Sequence, residues 1–137
     1  MTAATPGADT GAAAVYERYL EVLDSRRWDD LVHVVHDEVT HDGRRMTREQ
    51  FTDLLREDVE TIPDLRYEVR ALVVDGDHLA ARLWFDCTPV RPFRGVDTGG
   101  RRVGFAEHAF YQLAEGRIRT IESVVDVDAV RRQVRRG

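Results

Sequence analysis

The sequence is poor in cysteine and lacks long apolar runs. It has 137 residues and a single cysteine, Cys87, so it can form neither an internal disulfide nor a CxxC metal site. No apolar run approaches the length that spans a membrane. Residues 1–11 have neither the basic start nor the apolar centre of a signal peptide, and we expect them to form a disordered tail. These absences favour a cytoplasmic protein.

A strong excess of one charge is also missing. The 20 basic and 25 acidic residues are spread along the chain and leave a formal net charge of −5, which argues against a nucleic-acid-binding surface. Histidine and carboxylate positions do not fall at a familiar metal-ligand spacing, so we expect no metal site. The length suits one domain with a hydrophobic core, and we assign residues 12–137 to it.

Apolar residues at helical spacing fill the first half of the chain. They predict three helices, over residues 12–24, 28–35 and 47–62. The third helix opens with a capping box, in which Thr47 and Gln50 exchange side-chain and backbone hydrogen bonds. A proline directly after residue 62 predicts its end.

The period then changes from helical to alternating. The alternation predicts four strands, over residues 65–74, 79–88, 101–113 and 118–126, in addition to a short strand at residues 38–41. Helices followed by an antiparallel meander predict an α+β fold. We expect a cone-shaped α+β barrel, in which a curved antiparallel sheet wraps around three N-terminal helices and encloses a pocket.

Two acidic residues interrupt apolar patterns. Glu107 shares its strand face with Phe105, Ala109 and Tyr111, and Asp58 falls within the apolar stripe of the third helix. A buried carboxylate is costly unless it is paired, protonated or engaged in chemistry. We therefore predict an acid–base pair, one member ionised and the other protonated, and leave open which is the base.

Other polar residues are candidates for the same pocket. Arg82, on one strand face with Trp84, could orient a substrate carboxylate or enolate, or it could form an internal salt bridge with the two acids. His41 and Asp42 end the short strand and could relay a proton at the pocket mouth, or they could be a surface histidine and a turn residue. Tyr111 could donate its hydroxyl to a developing oxyanion, or serve only as core.

The order of elements resembles that of the SnoaL-like polyketide cyclases, in the nuclear-transport-factor-2-like superfamily, from about residue 15 to 133. The segments that carry this resemblance are Ile62-Pro63-Asp64-Leu65, Ala80-Ala81-Arg82-Leu83, Phe93-Arg94-Gly95, Phe105-Ala106-Glu107-His108, Glu115-Gly116-Arg117-Ile118 and Ser123-Val124-Val125-Asp126. The resemblance implies a cyclase or isomerase that needs no cofactor. It also implies a hydrophobic, oxygenated, polyketide- or terpenoid-like substrate from secondary metabolism, such as antibiotic biosynthesis.

The site residues depart from two branches of that superfamily. Ser123 stands where the founding aldol cyclases carry an acid–base aspartate, and Ala109 stands where they carry a histidine. The limonene epoxide hydrolases have an inward Arg-x-Asp pair at the position of Arg82 and Trp84, so one acid of their catalytic trio is missing here. Epoxide hydrolysis by that route is therefore disfavoured.

A branch of fungal meroterpenoid isomerases is more similar. The likeness lies in the pattern Phe-x-Glu-His-x-Phe-Tyr and in the spacing from a helix acid to its glutamate. It implies that Asp58 and Glu107 form the acid pair, with His41 and Asp42 in the segment that contacts substrate. We also expect Arg82, Trp84, Tyr111 and Ser123 to bind the substrate.

A second class of function stays open at this point. The same fold could be a non-catalytic ligand-binding module or a dimerisation scaffold. A pocket that both acids face favours the enzyme, whereas a filled core with Glu107 bound to Arg82 favours the module. In either case Ala106, His108 and Phe110 predict an apolar outer sheet face, through which we expect a homodimer.

Overall fold

A computed structural model of the protein describes residues 11–136. Its helices are α1 (Ala12–Ser25), α2 (Arg48–Thr61) and α3 (Val127–Arg136), with a 3-10 helix at Trp28–His33. Its strands are β1 (Val35–His41), β2 (Arg44–Thr47), β3 (Glu68–Asp75), β4 (His78–Cys87), β5 (Val103–Ala114) and β6 (Arg117–Val125). The tail predicted for residues 1–11 lies, apart from Gly11, outside the described residues.

The six strands form one mixed sheet in the order β2-β1-β6-β5-β4-β3. Strands β3 to β6 make the predicted antiparallel meander, but β1 pairs with β6 in parallel. The prediction of an entirely antiparallel sheet is therefore wrong. The reason lies in the order of the strands. Helix α2 connects β2, at one edge of the sheet, to β3, at the other edge, and the meander from β3 to β6 then ends beside β1, with β6 running in the same direction as β1. The α+β class itself is confirmed.

Local signals decide where α2 begins and ends. The Thr47 hydroxyl accepts a hydrogen bond from the Gln50 N–H at 3.1 Å, and the Gln50 side chain accepts one from the Thr47 N–H at 2.9 Å. This is the predicted capping box. Phe51 and Leu55 are buried against the sheet. Asp58, one turn beyond Leu55, follows them on the same helix face.

The inner face of the sheet forms the core together with α1 and α2. Leu83 and Phe85 of β4 and Phe105 of β5 are almost completely buried, as is Tyr16 of α1. The free thiol of Cys87 is also buried, as its strand position predicts. Alternate residues of β4 and β5 face the other way, so the sheet has a buried inner face and an exposed outer face.

The C-terminal helix α3 carries Arg131, Arg132, Arg135 and Arg136 and packs against β5. The Gln133 side chain bonds to both the N–H and the carbonyl of Gly104, at 2.9 and 2.6 Å, and Val130 is buried. The predicted helix at residues 28–35 is a 3-10 helix that ends at His33, and β2 was not predicted. Within the described range, none of the helices is both long and apolar enough to span a membrane.

Candidate active site

A cavity of about 390 Å³ lies between α2 and the inner face of the sheet. This volume is within the roughly 300–1,000 Å³ typical of small-molecule sites. Its polar lining residues are Tyr19, His41, Asp42, Arg44, Glu57, Asp58, Tyr67, Arg94, Glu107, Tyr111 and Ser123. A narrow inner recess shares Asp58, Tyr67, Arg94 and Glu107, and aromatic and aliphatic side chains form the rest of its wall. Both predicted acids therefore line one cavity.

Glu107 lies near the middle of β5, paired with Leu83 on one side and Val125 on the other. Burial raises the pKa of its carboxyl from 4.5 to about 7, and the negative charge of Asp58 adds to that rise. The positive charge of Arg94 and a hydrogen bond with the Ser123 side chain act in the opposite direction. Glu107 thus holds its proton to near neutral pH.

Asp58 reaches the same cavity from α2. Burial raises the pKa of its carboxyl from 3.8 to about 6, against the lowering effect of the Arg94 guanidinium, and the charge of Glu57 adds to the rise. The negative charge of Asp58 raises the pKa of Glu107, so the two carboxyls do not ionise independently of each other.

His41 and Asp42 form the mouth of the cavity, where β1 turns into β2. Asp42 has a φ of 49° and is followed by Gly43 at 84°, the positive pair typical of a tight hairpin turn. The Asp42 carboxylate accepts a hydrogen bond from the Ser123 N–H at 2.8 Å and lies 3.7 Å from His41 Nε2. The turn thereby fixes His41 beside β6 at the cavity entrance.

Four tyrosines surround the acids. Tyr16 donates a hydrogen bond to the Tyr111 hydroxyl at 3.2 Å, and the ring of Tyr19 packs against both. Burial raises the pKa of all three and of Tyr67, so each hydroxyl is a neutral donor at physiological pH. Tyr19, Tyr67 and Tyr111 reach the cavity wall.

Arg82 and Trp84 do not reach the cavity, so this part of the predicted site is wrong. Both lie on the outer face of β4. Arg82 is exposed there, and its Nε donates to His108 at 3.2 Å. Trp84 packs over Gly104, where a Cβ would lie only 2.7 Å from the indole. The internal salt bridge between Arg82 and Glu107 is excluded for the same reason.

Arg94 takes the place that the sequence analysis assigned to Arg82. It lines both the cavity and the recess, and its charge lowers the pKa of both acids. No role was predicted from the sequence for Arg94, Tyr19 or Tyr67. A signal for Arg94 was present in Phe93-Arg94-Gly95, because an arginine before glycine in a loop suggests a constrained turn.

Other depressions are less suited to chemistry. A groove of about 410 Å³ between the 3-10 helix and α2 is lined largely by charged surface residues. Within residues 11–136, groups of three or more His, Cys, Asp or Glu side chains able to hold a metal ion do not occur. The cavity with Asp58 and Glu107 is therefore the candidate site.

Comparison with known proteins identifies the family of this chain. The chain has a TM-score of 0.88 and 42% identity to a SnoaL-like polyketide cyclase from Agrobacterium tumefaciens, over 90% of this chain and 97% of that one. TsrD from Streptomyces laurentii is 24% identical, with a TM-score of 0.80 over 92% and 96% of the two chains, and shows the fold alone. None of the curated proteins matches significantly. Residues 13–134 match the family model of the SnoaL-like polyketide cyclases, and the chain belongs to that family.

Proposed function

We propose that the protein is an acid–base cyclase or isomerase that acts on an oxygenated, polyketide- or terpenoid-like intermediate and needs no cofactor. The observation that carries this proposal is the pair of carboxyls in one cavity, with pKa values of about 6 for Asp58 and about 7 for Glu107. Perturbed acids that share a cleft are enriched at catalytic sites. The pairing also agrees with the likeness to the meroterpenoid isomerases, which remains part of the proposal.

We assign Asp58 as the base and Glu107 as the acid, because the negative charge of Asp58 raises the pKa of Glu107. In this assignment Asp58 is ionised and Glu107 is protonated when the substrate binds. Asp58 takes a proton from the carbon next to a substrate carbonyl while Glu107 gives its proton to the carbonyl oxygen, which forms an enol. The enol carbon attacks an electrophilic carbonyl carbon of the same molecule, or the enol takes a proton at a new carbon. The enol O–H proton returns to Glu107 as the carbonyl re-forms, and the proton on Asp58 goes to the new alkoxide oxygen or to the new carbon, so both carboxyls return to their starting states.

The remaining polar groups would orient the substrate. Tyr111 already accepts from Tyr16, so its own proton is available to a substrate oxygen. Ser123 holds the Glu107 carboxyl, and His41 with Asp42 would exchange protons at the mouth. The sequence contains no lysine, so no side-chain amine can form a Schiff base with the carbonyl. Direct acid–base chemistry is the route that this chain can supply.

The role assignment predicts a bell-shaped pH dependence. We expect kcat/KM to rise as Asp58 ionises near pH 6 and to fall as Glu107 loses its proton near pH 7. The Glu107→Gln variant should lose the alkaline limb, because its amide does not titrate. Initial rates measured from pH 4.5 to 9 test this. A flat profile across that range would rule out the assigned roles.

We also propose that two copies associate through the outer sheet face. Phe110, Val124 and Val73 on that face are 60%, 69% and 66% exposed. Val73 and Phe110 both flank Ala80 in the strand register, so they form one apolar band. Contiguous exposed apolar surface is common at protein–protein interfaces, which supports the association proposed here.

The dimer proposal predicts an assembly that one charge disrupts. We expect sedimentation velocity at micromolar concentration to show a dimer, and Phe110→Asp to shift it to a monomer. Val90→Asp is the matched control, since Val90 is 63% exposed in the loop before β5 and away from the sheet face. A wild-type protein that stays monomeric throughout would contradict the proposal.

A further inference from the structure

The loop between β4 and β5 is fastened to the helix that carries Asp58. The Val90 N–H donates to the Thr61 carbonyl at 2.8 Å, and Arg91 Nε donates to the Thr61 hydroxyl at 2.8 Å. A further bond of 3.4 Å joins Arg91 to the Glu57 carbonyl. These contacts fix the start of the loop on the last turn of α2, next to the cavity.

A tight turn at the centre of this loop presents Arg94. Phe93 and Val96 exchange two backbone hydrogen bonds of 2.9 Å, and both side chains are buried. The two central residues, Arg94 and Gly95, have φ values of 50° and 80°. Turns of this type favour asparagine, aspartate or glycine at the first central position, and arginine is strained there. Because the surrounding contacts hold Arg94 in this strained conformation, we infer that its side chain has a function.

The Arg94 guanidinium lies beside the two acids without forming an ion pair with either of them. It lies over the Phe93 ring, 5.6 Å from the centroid, and lines the cavity beside Asp58 and Glu107. Within residues 11–136, its charge acts on both acids, yet no hydrogen bond or ion pair engages it. Its planar set of N–H donors is therefore available to a ligand.

We propose that Arg94 binds a delocalised oxyanion of the substrate, a carboxylate or the enolate of a 1,3-dicarbonyl, and thereby selects acidic substrates over neutral ones. The inference rests on the proposed function, because it names the substrate class of the same site. Arginine suits this role, since its fork bonds both oxygens of a planar anion at once. The cavity of about 390 Å³ that Arg94 lines, whose wall includes Phe51, Leu54 and Leu83, would hold the hydrocarbon part of such a molecule.

The test measures binding of two anionic probes and their neutral analogues by calorimetry at constant pH. The probes are 2-naphthoate, with 2-naphthamide as its neutral analogue, and the enolate of dimedone, with its methyl enol ether. We expect Arg94→Gln to weaken binding of at least one anion about tenfold or more, and to change the Kd of the neutral analogues less than about twofold. The anion that is affected identifies the source of the oxyanion.

Three further variants separate this role from a structural one. Arg94→Lys should recover only part of the affinity, because an ammonium cannot reproduce the fork. Arg94→Gly should melt no earlier than the wild type, since glycine relieves the positive φ, yet lose the same affinity. Arg45→Gln, which removes an exposed arginine paired with Glu38 at 2.9 Å, should bind both anions normally.

Unchanged anion binding in Arg94→Gln, equal losses for the neutral analogues, or no wild-type binding of either anion at millimolar concentration would overturn the inference. These outcomes are distinct from failure of the proposed function. If Glu107→Gln abolishes turnover while Arg94→Gln leaves the Kd of both anions unchanged, the acid–base function is supported and the inference about Arg94 is wrong. If Arg94 governs anion binding while Glu107→Gln remains fully active, the acid–base function fails.

Discussion

The Glu107→Gln variant is expected to lose roughly two to four orders of magnitude in turnover while it still binds ligand. General acid catalysis contributes about this much to a rate, and an amide keeps the size of the side chain but has no acidic proton. The variant should fold normally, because burial already favours the neutral form of the Glu107 carboxyl. Turnover can be followed by NMR as deuterium incorporation from solvent next to the carbonyl of a polyketide-like ketone.

Two comparisons make this result specific. Asp58→Asn should cause a loss of similar size, because it removes the proposed base. Glu60→Gln is the control, since Glu60 is exposed on the same helix as Asp58. If Glu107→Gln turns over as fast as the wild type, Glu107 is structural, and the protein is better described as a binding module.

The second large effect is on stability. Both carboxyls have raised pKa values in the folded protein, so between about pH 4 and 7 the folded state binds more protons than the unfolded state. Their favourable contribution is fully present below about pH 4 and is lost as pH rises through about 6 for Asp58 and 7 for Glu107. The wild-type free energy of unfolding should therefore fall with pH across this range.

Replacing either acid should make the protein more stable at pH 8. A pKa change of one unit corresponds to about 1.4 kcal/mol, and both side chains are partly exposed to the cavity, so we expect a gain of about 2 kcal/mol per site. At pH 4.5 the Glu107→Gln and wild-type proteins should differ little, because the wild-type carboxyl is then neutral when folded. Urea unfolding at both pH values measures the difference. A variant that is destabilised at pH 8 would contradict the raised pKa.

The sequence contained enough to find the acids. Glu107 interrupts an alternating apolar pattern, which identifies one face of a strand. Asp58 interrupts an apolar pattern of helical period, which identifies one face of a helix. The structure keeps both faces buried as the patterns predict, because the burial of Phe105 fixes the orientation of β5 and the burial of Leu55 fixes that of α2. The cavity wall that the acids share follows from those two orientations.

Arg82 was misplaced by the resemblance, although its own strand pattern places it on the outer face. Its strand has an apolar face made of Leu79, Ala81, Leu83 and Phe85, which is the buried one. The resemblance to enzymes with an inward arginine suggested the opposite face. The register decides the matter, because Arg82 lies directly opposite His108 and cross-strand neighbours share a face. Pairing between strands depends on contacts distant in sequence, which periodicity does not contain.

The parallel pairing of β1 with β6 and the position of Arg94 were hidden for the same reason. Strand β1 meets β6 only after the meander is complete, and residues about 80 positions apart become neighbours, as in the bond from Ser123 to Asp42. Arg94 reaches the acids because Val90 and Arg91 attach its loop to α2. The parallel pairing has no local signature, and the Arg94-Gly95 pair indicates a turn without showing which residues its arginine approaches.

Carboxyl 13C NMR of the labelled protein shows whether Asp58 and Glu107 titrate as neighbours in one cavity. Glu107 is expected to titrate near pH 7, and Asp58→Asn should lower this pKa while leaving it above 4.5, because burial remains. A Glu107 carboxyl that titrates near 4.5 in the wild type, or whose pKa is unchanged by the loss of Asp58, would show that the two acids are not neighbours in a buried cavity.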